Sequence, residues 1–232
     1  MLDTTNLLWY SSIGVQFLFC LYLIWTRLAR SYPTFAIYLA LSVATSIGAI
    51  YFMRGADGPR LPLAYSYYWL CAEPVVLLAQ VAVALEVHAA MWREHKSVLR
   101  QTRPLLLFAL LMALVSAAIP VRTELARAGA PHLIAVLQFG FLVTRYISSV
   151  LAIFLILSAA LFLIAVNNGT KSSLFRHEGM LAVYFGIYAI AMLLVGTGWV
   201  RTTLVNGYLA SGLTLCFVAW FSVLKPQLQP SE

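Results

Sequence analysis

The sequence is short of charged residues. Asp, Glu, Lys and Arg together make up 10% of its 232 residues, whereas 62% are hydrophobic. Soluble domains carry about 25% charged residues, so this composition excludes an ordinary soluble protein. The net charge of +7 comes from basic residues that stand singly between apolar runs. This placement is typical of membrane orientation signals rather than of a phosphate-binding surface, and we predict no nucleic-acid partner.

Lysine and aspartate are the scarcest charged residues. The three lysines, Lys96, Lys171 and Lys225, lie in connections or at a segment end, which excludes a retinal Schiff base inside the last apolar run. The two aspartates, Asp3 and Asp57, lie outside the apolar runs, which excludes an intramembrane two-aspartate protease. Phosphotransfer to lipid would need clustered acidic metal ligands, and the sequence has none. These absences argue against an enzyme, and we predict no cofactor.

Cysteine is also rare. Cys20, Cys71 and Cys216 all fall within apolar segments and lack the spacing of metal ligands. We interpret them as small hydrophobic residues of a packed interior. His88 and His95 are seven residues apart but belong to no HExxH motif, so we predict no metal site.

The sequence contains many long apolar runs. A bilayer core about 30 Å thick needs about 20 helical residues. No positive charge precedes the first run, which is the reverse of a cleavable signal, so we predict a retained membrane helix. The sequence predicts an all-α, polytopic integral membrane helical bundle, in which residues 1–232 form a single domain. Its seven predicted transmembrane helices are residues 7–25, 35–53, 67–91, 105–119, 133–166, 180–200 and 204–224.

The fourth segment, 105–119, is the shortest and is bracketed by Pro104 and Pro120. An alternative fold has six spans, with this segment only re-entering the membrane. The positive-inside rule cannot separate the two folds, because both leave nine Lys and Arg residues inside and five outside. The apolar content of the segment favours seven spans, with the N-terminus outside and the C-terminus cytoplasmic. In that topology the inner residues are Arg27, Arg30, Arg93, Lys96, Arg100, Arg103, Lys171, Arg176 and Lys225, and the outer ones are Arg54, Arg60, Arg122, Arg127 and Arg201.

The third segment carries ionisable groups inside an apolar run. A charge at mid-bilayer costs about 2.5–3.5 kcal/mol on insertion scales, so it indicates a functional site by default. Glu73 and Gln80 are seven residues apart and share one helix face; His88 lies about 60° away, and Glu86 points to another side. Pro74 lacks an N–H group and predicts a helix kink beside the Glu73 carboxyl. We predict a polar nook that holds water, a proton or a ligand's donor group; the alternative is a kink that serves packing alone.

Arg145 is the one charged residue inside the long fifth segment. Its depth matches that of Glu73, so we predict that the two form a buried ion pair. The alternative is that Arg145 reaches the outer headgroups. Two tyrosines of the sixth segment complete the predicted ligand-binding or proton-linked pocket. Its residues are Glu73, Gln80, Arg145, Tyr184 and Tyr188.

Glu86 and His88 approach the cytoplasmic end, where we predict a polar cluster that is tethered to the interface or paired with Arg93 or Arg176. For the whole chain we predict a non-enzymatic, multi-pass protein of the plasma (inner) membrane, acting as a sensor or as a membrane subunit of a complex. One alternative is a small-solute or proton-coupled transporter with Glu73 or Glu86 as the titrating group. Another is a purely structural subunit. The predicted partners are the lipid bilayer and either a small molecule or a protein within the membrane.

Overall fold

A computed structural model describes residues 4–53, 63–126, 132–165, 173–197 and 202–224, and in these ranges the chain is helical with no strand. The short helix α2 connects the first two of seven long helices. In chain order the helices are α1 (Thr4–Trp25), α2 (Leu28–Ser31), α3 (Pro33–Met53), α4 (Leu63–Met91), α5 (Lys96–Ala126), α6 (His132–Ala165), α7 (Ser173–Thr197) and α8 (Thr202–Val223).

The long helices have the length and composition of membrane spans. Six of them contain stretches apolar enough to cross a bilayer, and α8 contributes a shorter apolar stretch, Gly207–Val223. The chain is therefore a helical membrane bundle of about seven spans. Many large aliphatic and aromatic side chains are exposed, including Leu78 of α4 and Ile164 of α6, as expected of helices that face lipid.

The fourth predicted segment lies inside one continuous helix. Helix α5 has 31 residues and contains both Pro104 and Pro120. At 1.5 Å per residue it is about 46 Å long, which is more than the bilayer core requires. The segment looked short in the sequence because charged and polar residues flank its apolar centre, and these continue the same helix.

Consecutive long helices run in opposite directions. Helix α1 packs between α3 and α8, α4 contacts α3, α6 and α7, and α5 packs mainly against α6 at the edge of the bundle. We name the side on which α1 begins the N-terminal side and the opposite one the C-terminal side. Helices α4, α6 and α8 also begin on the N-terminal side, which the charge distribution predicts to be extracytoplasmic.

Aromatic side chains fill the bundle towards its C-terminal side. Phe19 of α1, Phe35 of α3, and Phe217 and Trp220 of α8 are at most 1% exposed. Their rings are in contact, with centroid separations of 5.8 Å for Phe19–Phe217 and 4.9 Å for Phe35–Trp220. These four residues are here called the aromatic layer.

Candidate functional site

A cavity of about 570 Å³ lies among α1, α3, α4, α7 and α8. Its residues come from the first part of α1, α4 and α8 and from the later part of α3 and α7, so it lies towards the N-terminal side. The volume is within the range of about 300–1,000 Å³ typical of small-molecule sites. Its polar lining residues are Ser12, Gln16, Tyr38, Ser42, Thr45, Ser46, Tyr65, Tyr68, Glu73, Gln80, Tyr184 and Tyr188.

Four of the five residues predicted to form a pocket line this cavity. Glu73 and Gln80 share a face of α4 because they are two helical turns apart, and that face borders the cavity. Tyr184 and Tyr188 are one turn apart on α7 and line the same space. That a ligand binds in this cavity stays a prediction.

Arg145 is not part of the cavity, and it makes no ion pair with Glu73. Its guanidinium lies over the ring of Tyr146, 5.7 Å from the centroid. The Glu73 carboxyl has a hydrogen-bond partner in Thr144 instead, the residue before Arg145 in α6. The Thr144 hydroxyl lies 3.0 Å from Glu73 Oε1. Adjacent residues of a helix point about 100° apart, so Arg145 has a suitable depth but the wrong orientation.

Only one of the two carboxyl oxygens of Glu73, Oε1, has a hydrogen-bond donor among the described residues. The Thr144 hydroxyl lies 3.0 Å from Glu73 Oε1 and also 3.0 Å from the Gly140 carbonyl oxygen. A hydroxyl has one hydrogen, so it can donate to only one of these acceptors at a time. Glu73 Oε2 has no hydrogen bond to any residue that the structure describes. The carboxyl therefore keeps acceptor capacity beside the cavity.

Gln80 has an acceptor without a donor. The residue is 2% exposed, and its Oε1 atom is buried with no hydrogen-bond partner among the described residues. A buried polar atom left without a partner costs about 1–3 kcal/mol. Gln80 lines the cavity, but its Oε1 atom is covered by protein, so a molecule in the cavity would not contact that atom.

Hydrogen bonds hold the remaining polar wall in place. The Tyr38 and Tyr184 hydroxyls bond to each other across α3 and α7. Ser42 donates to Gln16 Oε1 at 3.0 Å, which ties α3 to α1. Tyr68 donates to the Thr45 carbonyl oxygen at 2.7 Å. These groups have partners within the wall, whereas Oε2 of Glu73 is an acceptor left for a bound molecule.

Pro74 follows Glu73 but does not line the cavity. It is exposed on α4, and the helix continues through it from Leu63 to Met91. Proline removes the N–H that would bond to the carbonyl of Leu70, so the helix lacks one hydrogen bond at this point.

Glu86 serves a different purpose from the one predicted. Its Oε1 accepts hydrogen bonds from the Thr34 backbone N–H at 3.1 Å and from the Thr34 hydroxyl at 2.9 Å. Its Oε2 accepts from the Phe35 backbone N–H at 3.2 Å. The first N–H groups of a helix have no partner within it and carry a partial positive charge. Glu86 therefore caps α3, and it pairs with neither Arg93 nor Arg176.

His88 is buried on another face of α4, so the predicted cluster of Glu86 and His88 does not form. Nδ1 of His88 lies 2.7 Å from the Ser158 hydroxyl of α6, and Nε2 lies 2.7 Å from the Thr102 hydroxyl of α5. Trp92 Nε1 also donates to Ser158, at 2.9 Å. The two ionisable residues are two positions apart and point about 200° from each other.

Two adjacent buried residues of α7, His177 and Glu178, were not among the predicted site residues. Both are fully buried. His177 Nδ1 accepts a hydrogen bond from Trp220 Nε1 at 3.0 Å, while its Nε2 and both carboxyl oxygens of Glu178 have no partner among the described residues. The sixth predicted segment begins at residue 180, whereas α7 begins at Ser173. The apolar residues Leu174 and Phe175 were the available signal that the helix starts earlier.

No protein-family model, no curated protein and no solved structure matches this chain. Its class therefore rests on its own fold and site. It is a multi-pass helical membrane protein with a polar cavity among five of its helices.

Proposed function

We propose that this chain is a non-enzymatic protein of the plasma (inner) membrane that binds a small molecule in the cavity, as a sensor or as the ligand-binding subunit of a membrane complex. The observation that carries the proposal is a cavity of about 570 Å³ bordered by the Glu73 carboxyl, whose Oε2 has no hydrogen bond to any described residue. With the N-terminus outside, the ligand would arrive from the extracytoplasmic side.

The chemistry of the lining favours an organic ammonium ion. Glu73 offers acceptor oxygens, and no Lys, Arg or His is among the described lining residues. A ligand that matches this lining carries N–H donors and a positive charge. Aromatic residues, including Tyr65, Trp69 and Tyr188, line the same cavity as the carboxyl. Such rings attract cations through their faces and cover apolar groups, so we expect a small amine with an apolar or aromatic body.

The position of the cavity favours binding over transport. A carrier must open its site to both sides of the membrane in turn, but the described lining residues lie towards one side. The proton-coupled carrier is also weakened because Glu86, one of its two candidate titrating groups, is held by α3. A purely structural subunit would not need a carboxyl group with spare acceptor capacity beside a cavity.

Calorimetric titration of the purified protein in detergent tests the proposal, with phenethylamine as the cationic probe and 2-phenylethanol as its uncharged counterpart. We expect the amine to bind more tightly than the alcohol. Glu73→Gln should weaken amine binding by about tenfold, which corresponds to about 1.4 kcal/mol. Glu94→Gln is the matched control, because Glu94 is exposed and outside the cavity.

Two results would contradict the proposal. One is equal binding of the amine and the alcohol, which would remove the role of the carboxylate. The other is wild-type affinity in Glu73→Gln, which would place the binding elsewhere. A circular dichroism spectrum and a melting curve for each variant separate lost binding from lost folding.

A further inference from the structure

Three basic residues form an exposed ridge at the start of α5, the helix at the edge of the bundle. Lys96, Arg100 and Arg103 are four and three positions apart, a spacing that brings side chains together on one face of a helix. At 100° per residue they fall within an arc of about 60°. All three are exposed. They are here called the basic ridge.

The charge of the basic ridge is not neutralised within the part of the chain that the structure describes. None of its three residues makes an ion pair or a side-chain hydrogen bond there. The exposed Glu94 lies nearby in sequence, but the exposed Arg93 beside it offsets its charge. The other acidic residues described on this side of the membrane are engaged or enclosed, since Glu86 caps α3 and Glu178 is fully buried. The basic ridge is therefore free to attract an anion.

The basic ridge lies at the level of the lipid headgroups. The apolar part of α5 begins at Leu105. At 1.5 Å per residue, Arg103 lies about 3 Å and Arg100 about 8 Å from Leu105 along the helix axis. The headgroup layer on each side of a bilayer is about 5–8 Å thick. Lys96 is about 14 Å away, and its flexible side chain can extend back towards the same layer.

The helix face that carries the basic ridge continues into the membrane as an apolar face. Leu107 follows Arg103 by four positions, Leu114 follows Leu107 by seven, and both leucines are exposed. The opposite requirement, packing against α6, is met by a different face, which lies about 80° away around the helix. The buried residues on that other face are Leu106, Leu110, Ala113 and Ala117. A positive end followed by an open apolar strip matches a molecule with an anionic head and a hydrocarbon tail.

We propose that the basic ridge binds the phosphate of an anionic phospholipid in the leaflet on the C-terminal side, with an acyl chain lying along Leu107 and Leu114. The guanidinium groups of Arg100 and Arg103 present paired N–H donors that suit phosphate oxygens, and Lys96 adds a mobile positive charge. Clusters of basic residues beside a membrane span attract anionic lipids. This site is separate from the ligand cavity and goes beyond the proposed function.

The alignment of the basic ridge is more than an orientation signal requires. The positive-inside rule needs basic residues on one side of the membrane and sets no condition on the helix face they occupy. Arg27 and Arg30 meet that condition as exposed residues at the short helix α2. They are not followed by an apolar helix face, because α2 ends at Ser31. The two pairs of arginines therefore allow a lipid site to be distinguished from general surface charge.

Native mass spectrometry of the full-length protein in detergent tests the site. The anionic probe is dioleoyl phosphatidylglycerol, and the probe without net charge is dioleoyl phosphatidylcholine, which has the same acyl chains. The fraction of protein that carries one lipid gives the dissociation constant. We expect the anionic lipid to bind about tenfold more tightly in the wild type. The double variant Arg100→Gln/Arg103→Gln should lose this preference and keep its affinity for phosphatidylcholine.

The matched control is Arg27→Gln/Arg30→Gln, which removes the same two charges from the same side of the membrane and should bind as the wild type does. Equal losses in the two double variants would overturn the site, because the lipid would then respond to surface charge alone. Equal binding of the two lipids by the wild type would also overturn it. Glycerol 3-phosphate, which has the phosphate without acyl chains, should not displace the lipid at equal concentration; displacement would indicate a site for a free phosphate instead. Melting curves without lipid verify that the variants fold.

Discussion

Glu86 and Thr34 are joined by two hydrogen bonds, from the backbone N–H and from the hydroxyl of Thr34 to the same carboxylate oxygen, at 3.1 and 2.9 Å. This contact links the later part of α4 to the first turn of α3. A carboxylate at a helix N-terminus is stabilised both by the unpaired N–H groups and by the helix dipole. An acidic residue within an apolar run can thus be explained by helix capping alone, with no ligand.

Removing this cap should destabilise the protein. Glu86→Ala leaves the N–H groups of Thr34 and Phe35 without their acceptor, and we expect a loss of about 1–3 kcal/mol in the free energy of unfolding. Glu86→Gln keeps an acceptor and should lose less. Thermal unfolding in detergent measures both, with the exposed Glu94→Ala as a control. Unchanged melting in Glu86→Ala would show that the cap is not needed.

The Tyr38–Tyr184 hydrogen bond offers a double-mutant cycle within the cavity wall. Tyr38→Phe or Tyr184→Phe alone leaves one buried hydroxyl without its partner, and we expect each to cost about 1–3 kcal/mol. The double variant removes both hydroxyls and should cost less than the sum of the single changes. Chemical unfolding gives the three differences. Simple additivity would contradict an interaction between the two residues.

Glycine at position 140 allows α6 to approach a tryptophan of α4. A Cβ atom on Gly140 would lie 2.8 Å from Cζ3 of Trp69, so Gly140→Ala must displace the ring or the helix. We expect a loss of about 1–3 kcal/mol from overpacking. Gly186→Ala is the control, because its added Cβ would have no heavy atom within 4 Å. Equal melting temperatures for the two variants would argue against this close contact.

The predicted topology can be tested with reporters. Seven spans with the N-terminus outside place the C-terminus in the cytoplasm, where a fused green fluorescent protein should fluoresce and a fused alkaline phosphatase should be inactive. Fusions after α5 should give the opposite pattern. An active phosphatase at the C-terminus would contradict the orientation, and it would revive the six-span alternative.

The bundle itself could be predicted because a membrane span is set by length and polarity, which are read directly from the sequence. The long α5 was foreseen only in part, since its ends, beginning at Lys96, are polar. The same difficulty hid Glu178. It lies in a helix that begins before the apolar run, among residues that resemble a connection.

The sequence predicted which site residues share a face of one helix, but it could not predict which residues of different helices are in contact. The spacing of Glu73 and Gln80 is a property of α4 alone, and both line the cavity. The pairing of Glu73 with Arg145 also required the rotation of α6, and apolar residues on every face of a membrane helix give little indication of rotation. Thr144, one residue earlier, faces Glu73 instead. The partners of Glu86 were missed for a different reason. Two of them are backbone N–H groups, which every residue except proline has, so the sequence does not indicate which of them bind a carboxylate.

The aromatic layer also has a mechanical consequence. Phe19 of α1, Phe35 of α3, and Phe217 and Trp220 of α8 are at most 1% exposed, and neighbouring rings are in contact. A closely packed interior transmits strain, because it has little free volume to absorb a displacement. The positive edges and negative faces of the rings also hold a fixed mutual orientation, so the electrostatic field of one ring is felt by its neighbours and the three helices should shift together.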